Sequence, residues 1–169
     1  TYAFQYFVGE ESFNRGLKRF LDQTKWRNPP YPDSDEFISA IRTETPDSLQ
    51  YLVTDIFEQI TFYDNKINEA SFVENDNGKF EIKLNLSTSK KHADGLGNET
   101  EKKSRNLIPV AVMTKKEDDE NERVFLENFW LDSGTTELIF IVNQEPTEVI
   151  IDPLNLLIDK NKKDDSFKF

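Results

Sequence analysis

The 169-residue chain has no cysteine, a single histidine, a single methionine and only six glycines. Without cysteine there is no disulfide framework, no thiolate chemistry and no cysteine-ligated zinc. With His92 as the sole histidine, a multi-histidine metal site is excluded as well. Long apolar runs are also missing, since nothing approaches the roughly 18 to 20 residues of a helical membrane span. Thr1 to Val8 carries neither the basic stretch nor the cleavage site of a secretory signal. A first residue other than methionine leads us to expect a processed product or a piece of something longer. Basic residues are the minority, 21 against 32 acidic, giving a formal net charge of -11 and a pI of about 4.6. Such a field repels a phosphate backbone, so no nucleic-acid partner is expected.

Core material, by contrast, is plentiful: 36% of the residues are hydrophobic and 14 are phenylalanine, which argues against a disordered chain. The first third reads as helices. Phe13, Leu17, Phe20 and Leu21 recur at helical spacing over Glu10 to Thr24, with Arg15, Lys18, Arg19 and Asp22 toward water. Tyr2 to Phe7 fits the end of an earlier helix. Three prolines within Pro29-Pro30-Tyr31-Pro32 force an extended connection. Asp33 with Glu36 three residues on predicts a capped helix bearing Phe37, Ile38 and Ile41. Thr45-Pro46 predicts the opening of a third, with a stripe of Leu49, Leu52, Val53, Ile56, Phe57 and Ile60.

After Tyr63-Asp64-Asn65 the period changes to two. Phe80, Ile82, Leu84 and Leu86 alternate with Lys79, Glu81, Lys83 and Asn85, the pattern of a half-buried strand. A weaker strand over Ile67 to Val73 precedes it across the turn Asn75-Asp76-Asn77-Gly78. Further strands are predicted at Leu107 to Met113, Arg123 to Leu131, Glu137 to Val142 and Glu148 to Ile151. Six short strands with turn signals between them predict an antiparallel β-sandwich. Lys90 to Arg105 reads as a long loop, Lys115 to Glu122 as a solvated tip, and Lys160 to Phe169 as a frayed polar tail.

Chemistry is scarce. The acidic run Glu117-Asp118-Asp119-Glu120 lacks the spacing of a calcium loop and is expected to face water. Nothing near His92 in sequence activates it, so an exposed loop histidine is expected. Asn98-Glu99-Thr100 and Asn85-Leu86-Ser87 match the glycosylation sequon, the latter inside a strand. Phe125, Phe129 and Trp130, with Tyr31, Tyr51 and Tyr63, either fill a phenylalanine-rich core, the reading we favour, or form an exposed platform for carbohydrate or peptide. There is no Gly-rich phosphate loop, serine nucleophile elbow or His-Glu-x-x-His. No residue of this chain is assigned a catalytic, cofactor-binding or metal-binding role.

Several segments carry a family likeness. Tyr2-Ala3-Phe4-Gln5-Tyr6-Phe7-Val8-Gly9-Glu10-Glu11, then Phe13-Asn14-Arg15-Gly16-Leu17 and Phe20-Leu21, resemble the thermolysin-like zinc aminopeptidases of the aminopeptidase N type. There a helix ends at Gly-Glu and the next leads to an aromatic, here Trp26. Thr45-Pro46-Asp47-Ser48-Leu49 through Asp55-Ile56-Phe57-Glu58 looks like the helix before the β domain. Tyr63-Asp64-Asn65, Ala93-Asp94-Gly95-Leu96-Gly97 with Glu99-Thr100-Glu101, and Ile151-Asp152-Pro153 with Leu157-Ile158-Asp159 resemble the C-terminal region of a bacterial subgroup fused to an ABC-transporter permease.

What the resemblance implies is largely an absence. The family's zinc ligands, general-base glutamate and catalytic tyrosine lie upstream of the Gly9-Glu10 landmark, and Tyr2 is too close to Gly9 to be that tyrosine. The expectation is an α+β chain: a helical segment over residues 1–60, an antiparallel β-sandwich over 61–160 and a polar tail over 161–169. It would be the non-catalytic C-terminal fragment of a zinc aminopeptidase-like protein, bracing the catalytic domain or docking other domains. Its implied partner is the missing upstream part of its own parent, with zinc in that parent only and a membrane-embedded permease portion in the bacterial subgroup. The alternatives are an independent β-sandwich binding module for peptide or glycan, or the docking domain of a catalytically degenerate transporter-associated parent.

Overall fold

The computed structural model describes residues 1–116 and 120–169. It shows an α+β chain, with short helices first and antiparallel sheets after them. Two compact units divide it, Thr1–Thr61 and Phe62–Phe169.

In the first unit, α1 (Tyr2–Val8) and α2 (Glu10–Thr24) are separated by Gly9 alone, at φ 85. That left-handed turn is where glycine is needed. α3 (Ser34–Glu44) opens on the predicted capping box: the Asp33 carboxylate accepts from the Glu36 amide, and the Glu36 carboxylate accepts from the Asp33 amide. Two ion-pair sets lock α2 and α3 as an antiparallel pair. Arg27 after α2 forks onto Glu36 at 2.6 and 2.8 Å, and Glu44 at the end of α3 accepts from both Arg15 and Arg19. Phenylalanine fills the space between, with Phe4 edge-on to Phe13 and Phe57, and Phe37 edge-on to Phe20 and Phe57. Leu21, expected on this inner stripe, is exposed instead.

Gly16 sets how closely α2 and α3 approach. A Cβ there would lie 2.8 Å from Ile41 Cδ1 and 3.1 Å from Ile41 Cα. Gly→Ala in a helix ordinarily stabilises by about 1 kcal/mol. Here the overlap reverses the sign, because close-packed interiors resist added methyl groups at a cost of roughly 1–3 kcal/mol. Gly16→Ala is therefore expected to destabilise the helical unit by about 1–2 kcal/mol net. Urea unfolding followed by helical circular dichroism would read this, and a stabilised variant would refute the tight approach.

The third predicted helix is broken into three pitches: a 3-10 turn Asp47–Leu49, a short α4 (Gln50–Val53) and a wide turn Thr54–Glu58 closed by Gln59 N–H donating to Thr54 O at 2.9 Å. That five-residue bond is the π geometry. The extra residue per turn rotates the stripe, so Asp55 is buried and Ile60 leaves the helix to begin a strand, exposed. Thr45, read as the cap of this segment, instead donates to Ile41 O and closes α3.

Among the described residues, the second unit holds two four-stranded sheets. In the first, β1 (Ile60–Glu74) neighbours β2 (Phe80–Ala93), whose other edge pairs with β6 (Gly134–Val142) and, end to end with it, β3 (Glu99–Glu101). In the second the order is β5 (Asn121–Asp132), β4 (Arg105–Lys115), β7 (Glu148–Ile151), β8 (Ser166–Lys168). The core combines Ile82, Leu84 and Leu86 of β2 with Ile108, Val110 and Val112 of β4, all fully buried. Phe140 of β6 stacks on Phe125 of β5 with ring centroids 4.7 Å apart, and lies tilted against Phe129 at 5.8 Å.

Three expectations are corrected. The stretch from Lys90 is not one long loop: β2 runs on to Ala93, a turn follows, and β3 pairs back onto β2. The segment after Lys160 is not frayed, because β8 pairs with β7 through Val149↔Phe167. β1 starts well before Ile67 and contains Tyr63-Asp64-Asn65.

Candidate functional site

The sites singled out in sequence scatter. Of the acidic run, Glu117, Asp118 and Asp119 lie outside the described residues, and Glu120 is exposed. His92 is not in a loop but on β2, half-buried and paired in register with Thr100. Asn98 closes the exposed β2–β3 turn, where its amide and side chain both donate to the Asp94 carboxylate. Asn85 sits in β2 and accepts from Asn68 on β1. Phe125, Phe129 and Phe140 form a half-buried stack, Tyr63 is buried and Tyr51 half-buried. Trp130 is 37% exposed, with the Arg105 guanidinium 6.0 Å from its ring centre.

The most unusual chemistry lies where β1 meets the chain between β7 and β8. Segments far apart in sequence converge there. The Tyr63 amide donates to Ile158 O at 2.8 Å, Lys160 N–H donates back to Tyr63 O at 3.0 Å, and Ile67 N–H donates to Asp164 O at 2.9 Å. The Asn65 amide donates to Asp159 Oδ2 at 2.8 Å, across 94 positions of sequence. Lys160 also bridges to Glu99 of β3. Tyr63-Asp64-Asn65, Ile151-Asp152-Pro153 and Leu157-Ile158-Asp159, three separate stretches of the chain, thus form one corner.

Four aspartates shape this corner. Asp152, held at φ 45, accepts the Leu156 and Leu157 amides on its two carboxylate oxygens, each at 2.8 Å. Asp159 likewise accepts from Asn161 N–H and Asn65 N–H. Asp164 Oδ2 accepts from the Asn161 side chain, while its Oδ1 is buried without a partner. Asp165 is 7% exposed, its Oδ1 has no partner, and its backbone carbonyl accepts from Ile151 N–H. Asn65, 1% exposed, has neither side-chain atom hydrogen-bonded. Burial raises the carboxyls of Asp152 and Asp159 above the ordinary range despite their amide bonds. Asp165 goes further: burial, then the fields of Asp159, Asp164 and Asp152, push it up to about 7.

The corner is not an assembled metal cage. Asp152 and Asp159 already spend both oxygens on backbone amides, and among the described residues no three acidic or histidine side chains converge on a point a metal could occupy. Sequence reasoning did not single out Asp164 or Asp165, and the dense acid spacing from Asp159 to Asp165 was the available signal. Comparison with protein-family models and with curated proteins gives no match to this chain.

Proposed function

We propose that the chain is a non-catalytic module that braces or docks other domains of a zinc aminopeptidase-like protein, with the end of a catalytic-type helical body preceding a β unit. The observation that carries this is Trp26. It ends the α2 turn at φ 61, a conformation bulky residues rarely adopt, and its indole is 96% exposed. Tyr31 (73% exposed), Tyr2 and Leu21 add further apolar surface on the same unit. A strained backbone that holds a bare tryptophan outward is the kind of anchor a partner surface buries. The break at Gly9 between α1 and α2 also agrees with the family landmark.

Zinc belongs, in this reading, to the parent, where it would activate water for attack on an N-terminal peptide bond. This chain offers one histidine and no cysteine to such an ion, which supports placing it in the parent. The test is to express the upstream part of the parent as a separate polypeptide and titrate it with this chain, following tryptophan fluorescence. Binding weakened at least tenfold by Trp26→Ala is expected, the loss of an aromatic anchor being worth about 2 kcal/mol or more. Unchanged affinity would overturn the proposal. One feature favours the binding-module alternative, Trp130 of β5 with the guanidinium of Arg105 of β4 beside its ring. Quenching of Trp130 by peptides or glycans, abolished by Trp130→Ala, would move the assignment there.

A further inference from the structure

The corner between β1 and β8 contains more buried acid than its hydrogen bonds can satisfy. Asp165 Oδ1, Asp164 Oδ1 and the whole Asn65 side chain are buried with no partner. Burying an unpaired carboxylate is costly, and a proton is the smallest group that removes the cost. Among the described residues, the charged groups whose fields fall on Asp165 are Asp152 beyond β7, and Asp159, Asp164 and Lys162 on the loop before β8. Lys162 is the one cation among them, and its Nζ is engaged by Asn155 Oδ1. From β1 come the uncharged Asn65 and Asp64, whose field falls on Asp159. At the other end of β8, Glu148 of β7 stands opposite Lys168.

The placement gives this carboxyl leverage. Asp164 and Asp165 supply the two carbonyls that bind the chain end to β1 and β7, through Ile67 N–H and Ile151 N–H. β8 begins at the next residue, and the Phe169 amide beyond it donates to Thr147 O at 3.0 Å. We propose that Asp165 is a proton-operated latch on this end of the chain: with the carboxyl neutral β8 stays paired to β7, and with it ionised the segment from Asp164 onward releases.

The sign follows from linkage. A carboxyl raised in the folded state keeps its proton there while the released state has lost it, so the latch is strongest below about pH 4 and weakens progressively up to about pH 7. The test is hydrogen exchange on the full chain at pH 5 and pH 8, corrected for intrinsic rates. Protection of the Ile67, Ile151 and Phe169 amides is expected to fall at least tenfold between the two, while that of the Leu84 amide in β2 holds. Asp165→Asn keeps the shape and removes the charge, so its protection is expected to be independent of pH. Should that variant fail to fold, the 13C carboxyl titration of Asp165 in the wild-type chain decides. A midpoint near 7 supports the latch, and a midpoint near 4 overturns it. Equal protection of the three amides at both pH values, or a variant that keeps the wild-type dependence, overturns it as well.

Discussion

Leu84→Ala should cost the β unit about 3–5 kcal/mol, the upper half of what truncating a buried leucine does. Leu84 lies fully buried at the middle of β2, with Ile82 and Leu86 beside it on the same face, and opposite Leu138 of β6 in register. Both strands are held in place by long ladders, so the surroundings cannot collapse into the cavity, and the cost stays near the top of the range. Against a total stability on the order of 5–15 kcal/mol, this would leave the unit marginal. The neighbouring Lys83→Ala is the contrast. Lys83 pairs with Glu137 at 2.9 Å on the exposed face, and losing such a pair costs under about 1 kcal/mol. Urea unfolding should show a lowered midpoint with an unchanged slope for Leu84→Ala and almost no change for Lys83→Ala. Comparable effects from the two would contradict the assignment of inner and outer faces.

The second large effect is expected at Asp152. Its carboxylate is the acceptor for two buried amides, Leu156 N–H and Leu157 N–H, that alanine would leave unpaired. Each such loss costs roughly 1–3 kcal/mol, and alanine at φ 45 adds about 1 more. Part of this is offset, because removing Asp152 also removes a charge that raises Asp165. The net expectation for Asp152→Ala is a loss of about 2–4 kcal/mol. Asparagine tolerates positive φ and keeps one acceptor, so Asp152→Asn should lose half of that or less. Thermal unfolding of the three proteins at pH 7 would rank them wild type, then asparagine, then alanine. Alanine and asparagine variants of equal stability would show that the two amides do not depend on this carboxylate.

How far the fold was legible in the sequence can be followed residue by residue. α2 has the bounds that Phe13, Leu17 and Phe20 imply, and α3 begins where Asp33 and Glu36 place it, because capping and helical period are local physics. Glu148–Ile151 is likewise a strand as its sequence indicates. The end of β2 was hidden because Thr88 and Lys90 continue its inward alternation with polar side chains. They are satisfied from other strands, Thr88 donating to Asp132 O and Lys90 to Asn106 Oδ1. β3 is entirely exposed, so it has no alternation to read, and β8 is three residues long. The π turn at Thr54–Glu58 shifted Asp55 inward against the simple helical period.

The aspartate corner was the least legible of all. Asn65 and Asp159 meet only because β1 runs beside the chain that follows β7, and no spacing rule links positions 94 apart. Trp26 was marked in sequence only as a landmark. Its exposure and left-handed backbone are properties of the folded turn.

The most direct test of the proposed parentage is to read the frame upstream of Thr1. An aminopeptidase-like stretch with His-Glu-x-x-His and a second glutamate about twenty residues on is the expected result. It would make the parent a zinc aminopeptidase and this chain its non-catalytic end. The same stretch without those ligands would point to the docking domain of a degenerate parent, and a frame with no aminopeptidase-like stretch would contradict the family assignment.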